Sequence, residues 1–232
     1  MKLLGLIGGV STESTAIYYR LLNDAARARL GGQHSANILI YALDYGIMIR
    51  HYDARDWPAF TAEVVKGAKH LAAAGADALI ICSNTTHVAA DAAAAATGLP
   101  LIHLLDVLTD AMNKAGTRKP LLLGTPVVMG GDHYIAELSR RYDGEVLVPT
   151  TEEQAEIGRI ILDELVNGEV REDSRAALLA IIGRCAAAGA DGVILGCTEL
   201  CMILGQEHIE LPVFDTTGLH AAAASAFAFG GA

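Results

Sequence analysis

Short apolar runs alternate with longer stretches in which apolar residues recur every three to four positions. Leu3 to Ile7 is the first run, and Gly8-Gly9 closes it. The pattern predicts a buried strand and a turn, then a helix over 12–30 capped by Ser11 and stopped by Gly31-Gly32. Strands follow at 38–43 and 78–81, with a mixed polar stretch at 47–57 read as a loop or short helix. Pro58 opens a helix at 59–74. Another covers 86–96, a strand lies at 99–102 and a helix at 106–115. The pattern then restarts. A strand at 120–124 precedes a helix from Thr125-Pro126 toward Arg141, a strand at 145–148, and helices at 152–167 and 172–188. A strand at 193–195, another at 211–215 and a helix at 216–228 complete it.

Strands that alternate with helices predict an α/β fold with parallel sheets. The restart is also visible in the letters. Ala-Gly-Ala-Asp begins at Ala74 and again at Ala188, 114 residues later. Cys82 is matched 115 residues on by Cys197, and Leu99-Pro100 is matched 112 residues on by Leu211-Pro212. Three landmarks in one order at nearly one offset predict two similar βαβ-type half-domains, 1–116 and 117–232, with the last helix free to cross to the first half. Parallel sheets take ligands at the C-terminal ends of their strands. Cys82 and Cys197 both fall there, which predicts an active site in a cleft between the halves.

Composition narrows the function. Of 232 residues, 52% are hydrophobic and only 5% aromatic, so alanine and glycine set close helix-on-sheet packing. The net charge of −10, without a basic cluster, argues against nucleic acid and anionic membranes as partners. No run is long enough to span a membrane. The opening Met1-Lys2 and Leu3 to Val10 are followed by Glu13 and Arg20 in helical register, a poor match to an export signal. The expected location is the cytoplasm, with all four cysteines reduced. Neither the cysteine nor the histidine spacing makes a metal site, and no lysine context suggests pyridoxal chemistry; no cofactor is expected.

Two cysteines at equivalent strand ends suit acid/base work better than nucleophilic attack, which usually pairs one cysteine with one histidine. Such symmetry fits a reaction between mirror images. One sulfur removes a Cα proton, and the other returns a proton to the opposite face. A helix start after each sulfur predicts a lowered thiol pKa. Ser83, Asn84, Thr85 and Thr198 supply donors for a substrate carboxylate. Gly8-Gly9 before a helix N-terminus is a weak anion-binding signal. Cys185 and Cys201 read as small buried hydrophobes, and Asp44 and Asp106 as turn or cap residues. His87 reads as a helix residue with a satisfied hydrogen bond. Glu199 either orients the site or caps a turn.

Gly8-Gly9-Val10-Ser11-Thr12-Glu13-Ser14-Thr15, Cys82-Ser83-Asn84-Thr85-Thr86-His87 and Gly196-Cys197-Thr198-Glu199 together resemble the aspartate/glutamate racemase family, which works without a cofactor. Arg29-Leu30-Gly31-Gly32 and Leu211-Pro212-Val213-Phe214-Asp215 resemble its broad-specificity amino-acid racemase branch. The likeness runs over essentially the whole chain. It implies two catalytic cysteines, Cys82 and Cys197, a small amino-acid substrate and a homodimer. It implies that Asn84, Thr85 and Thr198 bind the α-carboxylate, and that Tyr52 meets the substrate side chain. Val10, Ser11, Ser83 and Glu199 complete the expected substrate-binding set. Aspartate-selective members hold the side-chain carboxylate with an Arg and a Lys. Here Arg50 and Arg55 are the counterparts of the first, while Val166 stands where the Lys belongs, so aspartate is not a required substrate. Rival readings are hydantoin racemisation, maleate isomerisation, arylmalonate decarboxylation (which keeps one cysteine), a small-acid binding protein without catalysis, and a Cys82–Cys197 redox switch.

Overall fold

The computed structural model describes residues 1–230, the side chain of Asp132 excepted, so the last two residues of the expected second half lie outside it. The chain forms two compact units. One is Met1–Leu104 with the chain from His220 onward, and the other is Leu105–Leu219.

In the first unit the elements run β1 (Leu4–Gly8), α1 (Thr12–Leu30), β2 (Ile38–Ala42), α2 (Tyr45–Asp53), α3 (Trp57–Ala73) and β3 (Ala78–Ile81). A 3₁₀ turn at Thr85–Ala89 leads into α4 (Ala90–Thr97). The mixed stretch at 47–57 is thus mostly helix. Asp44 caps α2 and Asp56 caps α3, each accepting a backbone N–H with its side chain. The helix expected at 86–96 is split, because its first turn is wound 3₁₀.

The sheet is parallel, in the order β2-β1-β3. The expected strand at 99–102 shrinks to one bridge, Leu79 to Leu101, beside β3. Pro100 lacks an N–H, so this edge cannot extend a full ladder. Both faces of the sheet are covered. Ile7, Leu79 and Ile81 pack with Phe60, Val64 and Leu71 of α3 and Ala90 and Ala93 of α4. Leu4, Leu6, Ala78, Ile80 and Cys82 pack on the other face with Tyr18 and Leu22 of α1 and with Ala221, Ala224 and Ala228 near the C-terminus. The alternation of Ile81 and Cys82 between faces is the period-two rule of a strand.

The second unit repeats the scheme with α5 (Leu104–Ala115), β4 (Pro120–Leu123), α6 (Pro126–Gly130), α7 (Asp132–Arg141) and α8 (Thr151–Arg159). Next come α9 (Glu172–Ala187), β5 (Gly192–Leu195), β6 (Val213–Asp215) and α10 (Thr216–Ala228), which starts here and passes into the first unit. The sheet is parallel with order β4-β5-β6, and Leu147 bridges to Leu121 on the far side of β4. With the two bridges counted, β3 and β5 hold the same rank, each third of four. The cysteine-bearing strands are therefore structurally equivalent.

Two expected helices are broken. Gly131 separates α6 from α7, and a Cβ there would collide with the Val127 carbonyl. The helix expected at 152–167 continues from α8 as a π turn at Ile160–Glu164 and a 3₁₀ turn at Leu165–Asn167. Leu121, Leu123, Val193 and Leu195 pack with Ile157, Ile160, Leu165, Leu178 and Ile182 into one core. Among the described residues, no helix is long and apolar enough to cross a membrane.

Candidate active site

Each unit brings one cysteine to the C-terminal end of an inner strand. In the first unit, Cys82 follows β3, and its N–H donates to the Ile7 carbonyl at 2.9 Å. The loop after β1 runs alongside. Gly9 has φ +89, and a side chain there would strike the Leu43 backbone, while one on Gly8 would strike the Thr15 side chain. Ser11 caps α1 by accepting the Ser14 N–H at 3.3 Å. Ser14 then donates its hydroxyl to the Cys82 carbonyl at 2.6 Å. The first turn of α1 is thereby tied to the cysteine. The spacing of Ser14 from Ser11 is that of an ordinary cap, so nothing local in the sequence marked this role.

Cys82 is fully buried, and burial pushes its thiol well above the ordinary range. The lowered pKa expected from a following helix is overridden, because the first turn is 3₁₀ and removal of water dominates. Asn84 is buried, while Ser83 and Thr85 are partly exposed. His87 is also buried. Its Nδ1 lies 2.7 Å from the Ser83 carbonyl, and its Nε2 lies 3.2 Å from the Leu104 N–H.

Val10 and Tyr52 pack with the core on the sheet face opposite Cys82. The Tyr52 ring meets Trp57 edge-on at 5.4 Å, and burial raises its phenol against the opposing charge of Arg55. Arg50 and Arg55 are exposed.

In the second unit, Gly196 donates its N–H to Leu123 at 2.7 Å and delivers Cys197 to a 3₁₀ turn, Thr198–Met202. The Cys197 thiol donates to the Glu199 carboxylate with Sγ 2.8 Å from Oε2, and the Thr198 hydroxyl donates to the same oxygen at 2.7 Å. Thr198 and Glu199 are buried. Burial is the main cause raising the Cys197 thiol well above its usual range, and the charge and hydrogen bond of Glu199 add to it. Backbone N–H groups of Glu199 and Thr198 oppose the shift. Cys201 sits beside Asp215, and burial with that carboxylate pushes its thiol up as well. Asp215 accepts the N–H groups of Thr217 and Gly218 at 2.9 and 3.0 Å and so caps α10.

Leu165–Asn167 packs against the Cys197 turn, with Leu165 and Leu200 in one core. On and beside that segment Leu162, Val166 and Val170 are exposed. The adjacent cations are engaged, Arg159 with Glu156 and Glu164 and Arg171 with Glu169. Among the described residues no cluster of histidine, cysteine and carboxylates has the geometry of a metal site.

The profile of the Asp/Glu/hydantoin racemase family matches residues 7–224. The chain belongs to that family. A Yersinia pestis protein assigned as an Asp/Glu racemase is 39% identical, with a TM-score of 0.92 over 99% of this chain and 100% of that one. An aspartate racemase homologue from Pyrococcus horikoshii is 31% identical, with a TM-score of 0.89 over 99% and 100%. Arylmalonate decarboxylase, 18% identical with a TM-score of 0.56 over 99% and 94%, shares the fold alone. The fold therefore carries more than one reaction, and the site must decide between them.

Proposed function

We infer that the protein is a cofactor-independent amino-acid racemase in which Cys82 and Cys197 act as acid and base on opposite faces of Cα. The observation that carries this reading is the equivalence of β3 and β5, each followed by one cysteine, Cys82 fully buried and Cys197 partly buried with its thiol hydrogen-bonded to Glu199. In one direction Cys197 passes its proton to Glu199 as its sulfur removes the Cα proton. The Cys82 thiol then protonates the other face. The electron pair left on Cα spreads into the substrate carboxylate, and donors from Ser83, Asn84, Thr85 and Thr198 stabilise it there. The reverse direction runs these steps backwards. The Cys82 thiolate left by the forward turnover removes the Cα proton. The Cys197 thiol returns one to the opposite face and recovers its own from Glu199, and exchange with solvent links the two protonation states.

The substrate in this reading is a free amino acid with broad tolerance in its side chain, as in the broad-specificity branch. Support comes from the exposed Leu162 and Val166 beside the Cys197 turn, and from the pairing of the nearby arginines with glutamates. Tyr52 remains a proposed side-chain contact. A homodimer in the cytoplasm is the proposed state, and sedimentation tests the assembly. The activity is tested by incubating reduced protein with single enantiomers of uncharged and acidic amino acids, then separating products on a chiral column. Hydantoins and maleate run beside them. Enantiomer interconversion of amino acids supports the reading; turnover of hydantoin or maleate alone replaces it.

A further inference from the structure

Beneath the Cys82 loop the first unit buries three histidines. His87, His103 and His220 are 5%, 9% and 0% exposed, and the His87 ring lies 5.0 Å from that of His103 and 5.4 Å from that of His220. Their partners dictate the tautomers. His220 Nε2 lies 2.7 Å from the Ile102 carbonyl, which only accepts, so Nε2 carries the proton. Its Nδ1, 2.8 Å away, then accepts from the Tyr18 hydroxyl. His87 is the opposite tautomer. Its Nδ1 donates to the Ser83 carbonyl, and its bare Nε2 accepts from the Leu104 N–H. Neither ring of this pair has a free nitrogen for proton transfer.

We propose that His87 is a positioning residue that sets the orientation of the Cys82-Ser83-Asn84 backbone. Ser14 holds the Cys82 carbonyl and His87 holds the next one, so two successive peptide planes are fixed by their oxygens. In a trans peptide the N–H points away from the C=O. The N–H groups of Ser83 and Asn84 are thereby aimed away from Ser14 and His87, as a pair of backbone donors for the substrate carboxylate. The anchor at Leu104 keeps the His87 ring from turning. This proposal rests on the racemase reading for its catalytic consequence, while the hydrogen-bond pattern stands apart from it.

Two variants separate positioning from packing. His87→Asn keeps a donor near Nδ1, and His87→Gln keeps an acceptor near Nε2. Misplacing donors by a fraction of an ångström costs catalysis steeply, so His87→Gln is expected to lower kcat about 100-fold, while His87→Asn stays within about fivefold of wild type. Iodoacetamide labelling read by mass spectrometry gives a second measure. Loosening of the loop is expected to raise Cys82 labelling about tenfold in His87→Gln only, with Cys197 unchanged in both variants. Equal losses in both variants, with Cys197 labelling also raised, would show general unfolding and overturn the proposal. So would labelling of Cys82 unchanged in both. Long-range proton–nitrogen NMR of the wild type needs no variant: an Nδ1-protonated His87 beside an Nε2-protonated His220 supports the proposal, and an Nε2-protonated His87 overturns it. If wild type racemises nothing, the function fails, but labelling and NMR still decide the role of His87.

Discussion

The Glu199 carboxylate takes the hydrogen bond of the Cys197 thiol at 2.8 Å. The shift at Cys82 has burial as its only cause, with no charged neighbour contributing. The two equivalent thiols are thus chemically unequal. Removing the negative charge by Glu199→Gln should lower the Cys197 pKa, because a carboxylate beside a thiol disfavours the thiolate. It should also remove the proton acceptor and reduce kcat about 100-fold, the lower range for a general base. Alkylation of Cys197 followed against pH reads the first effect and steady-state kinetics the second. An unchanged Cys197 titration contradicts the assignment.

Ser14 makes a separate prediction. Its hydroxyl holds the buried Cys82 carbonyl, and Ser14→Ala leaves that oxygen without this partner. The cost is about 1–3 kcal/mol of stability, as for other buried polar groups stripped of a bond. Urea unfolding measures it, and kcat should fall with it. The neighbouring cap survives, since Ser11 supplies the side chain that accepts from the Ser14 backbone.

Much of this was legible in the letters. The repeat located both cysteines, and Ser11, Pro126 and Thr216 marked the helix starts they occupy. What was not legible depends on partners distant in sequence. Periodicity carries α8 smoothly to Asn167, but the buried Glu164 bonds Ser174 ten residues on and Arg159 five residues back, at the π turn. Leu101 and Leu147 keep strand-like sequences yet make single bridges, because each lies at a sheet edge. The raised thiols were missed for a related reason. A strand end followed by a helical turn can be read from sequence, whereas the burial of Cys82 under Tyr18 and Ala224 cannot.

His220 gives the pH dependence of stability. It is fully buried and its pKa is lowered to about 4, first by burial and also by His103, with the Ile102 carbonyl opposing. A depressed histidine adds stability that is present above its unfolded value of about 6.5 and is lost as pH falls toward 4. The loss should reach about 3 kcal/mol by pH 4. Urea midpoints between pH 7 and pH 4 measure it. His220→Asn should start less stable and show a shallower slope; an equal slope would assign the acid loss elsewhere.

Val166 tests the side-chain preference. It is exposed beside the Cys197 turn, where Arg159 and Arg171 are already paired. Val166→Lys should raise kcat/KM for aspartate relative to alanine about 10-fold, by giving the second carboxylate a partner. No change in that ratio would remove Val166 from the substrate's surroundings.

The central claim is that two thiols work on one carbon. Proton NMR in D2O tests it most directly, following loss of the Cα–H signal from each enantiomer with wild type, Cys82→Ala and Cys197→Ala. The account predicts exchange coupled to racemisation in wild type and loss of racemisation in both variants. Racemisation that persists after removal of either cysteine would contradict it.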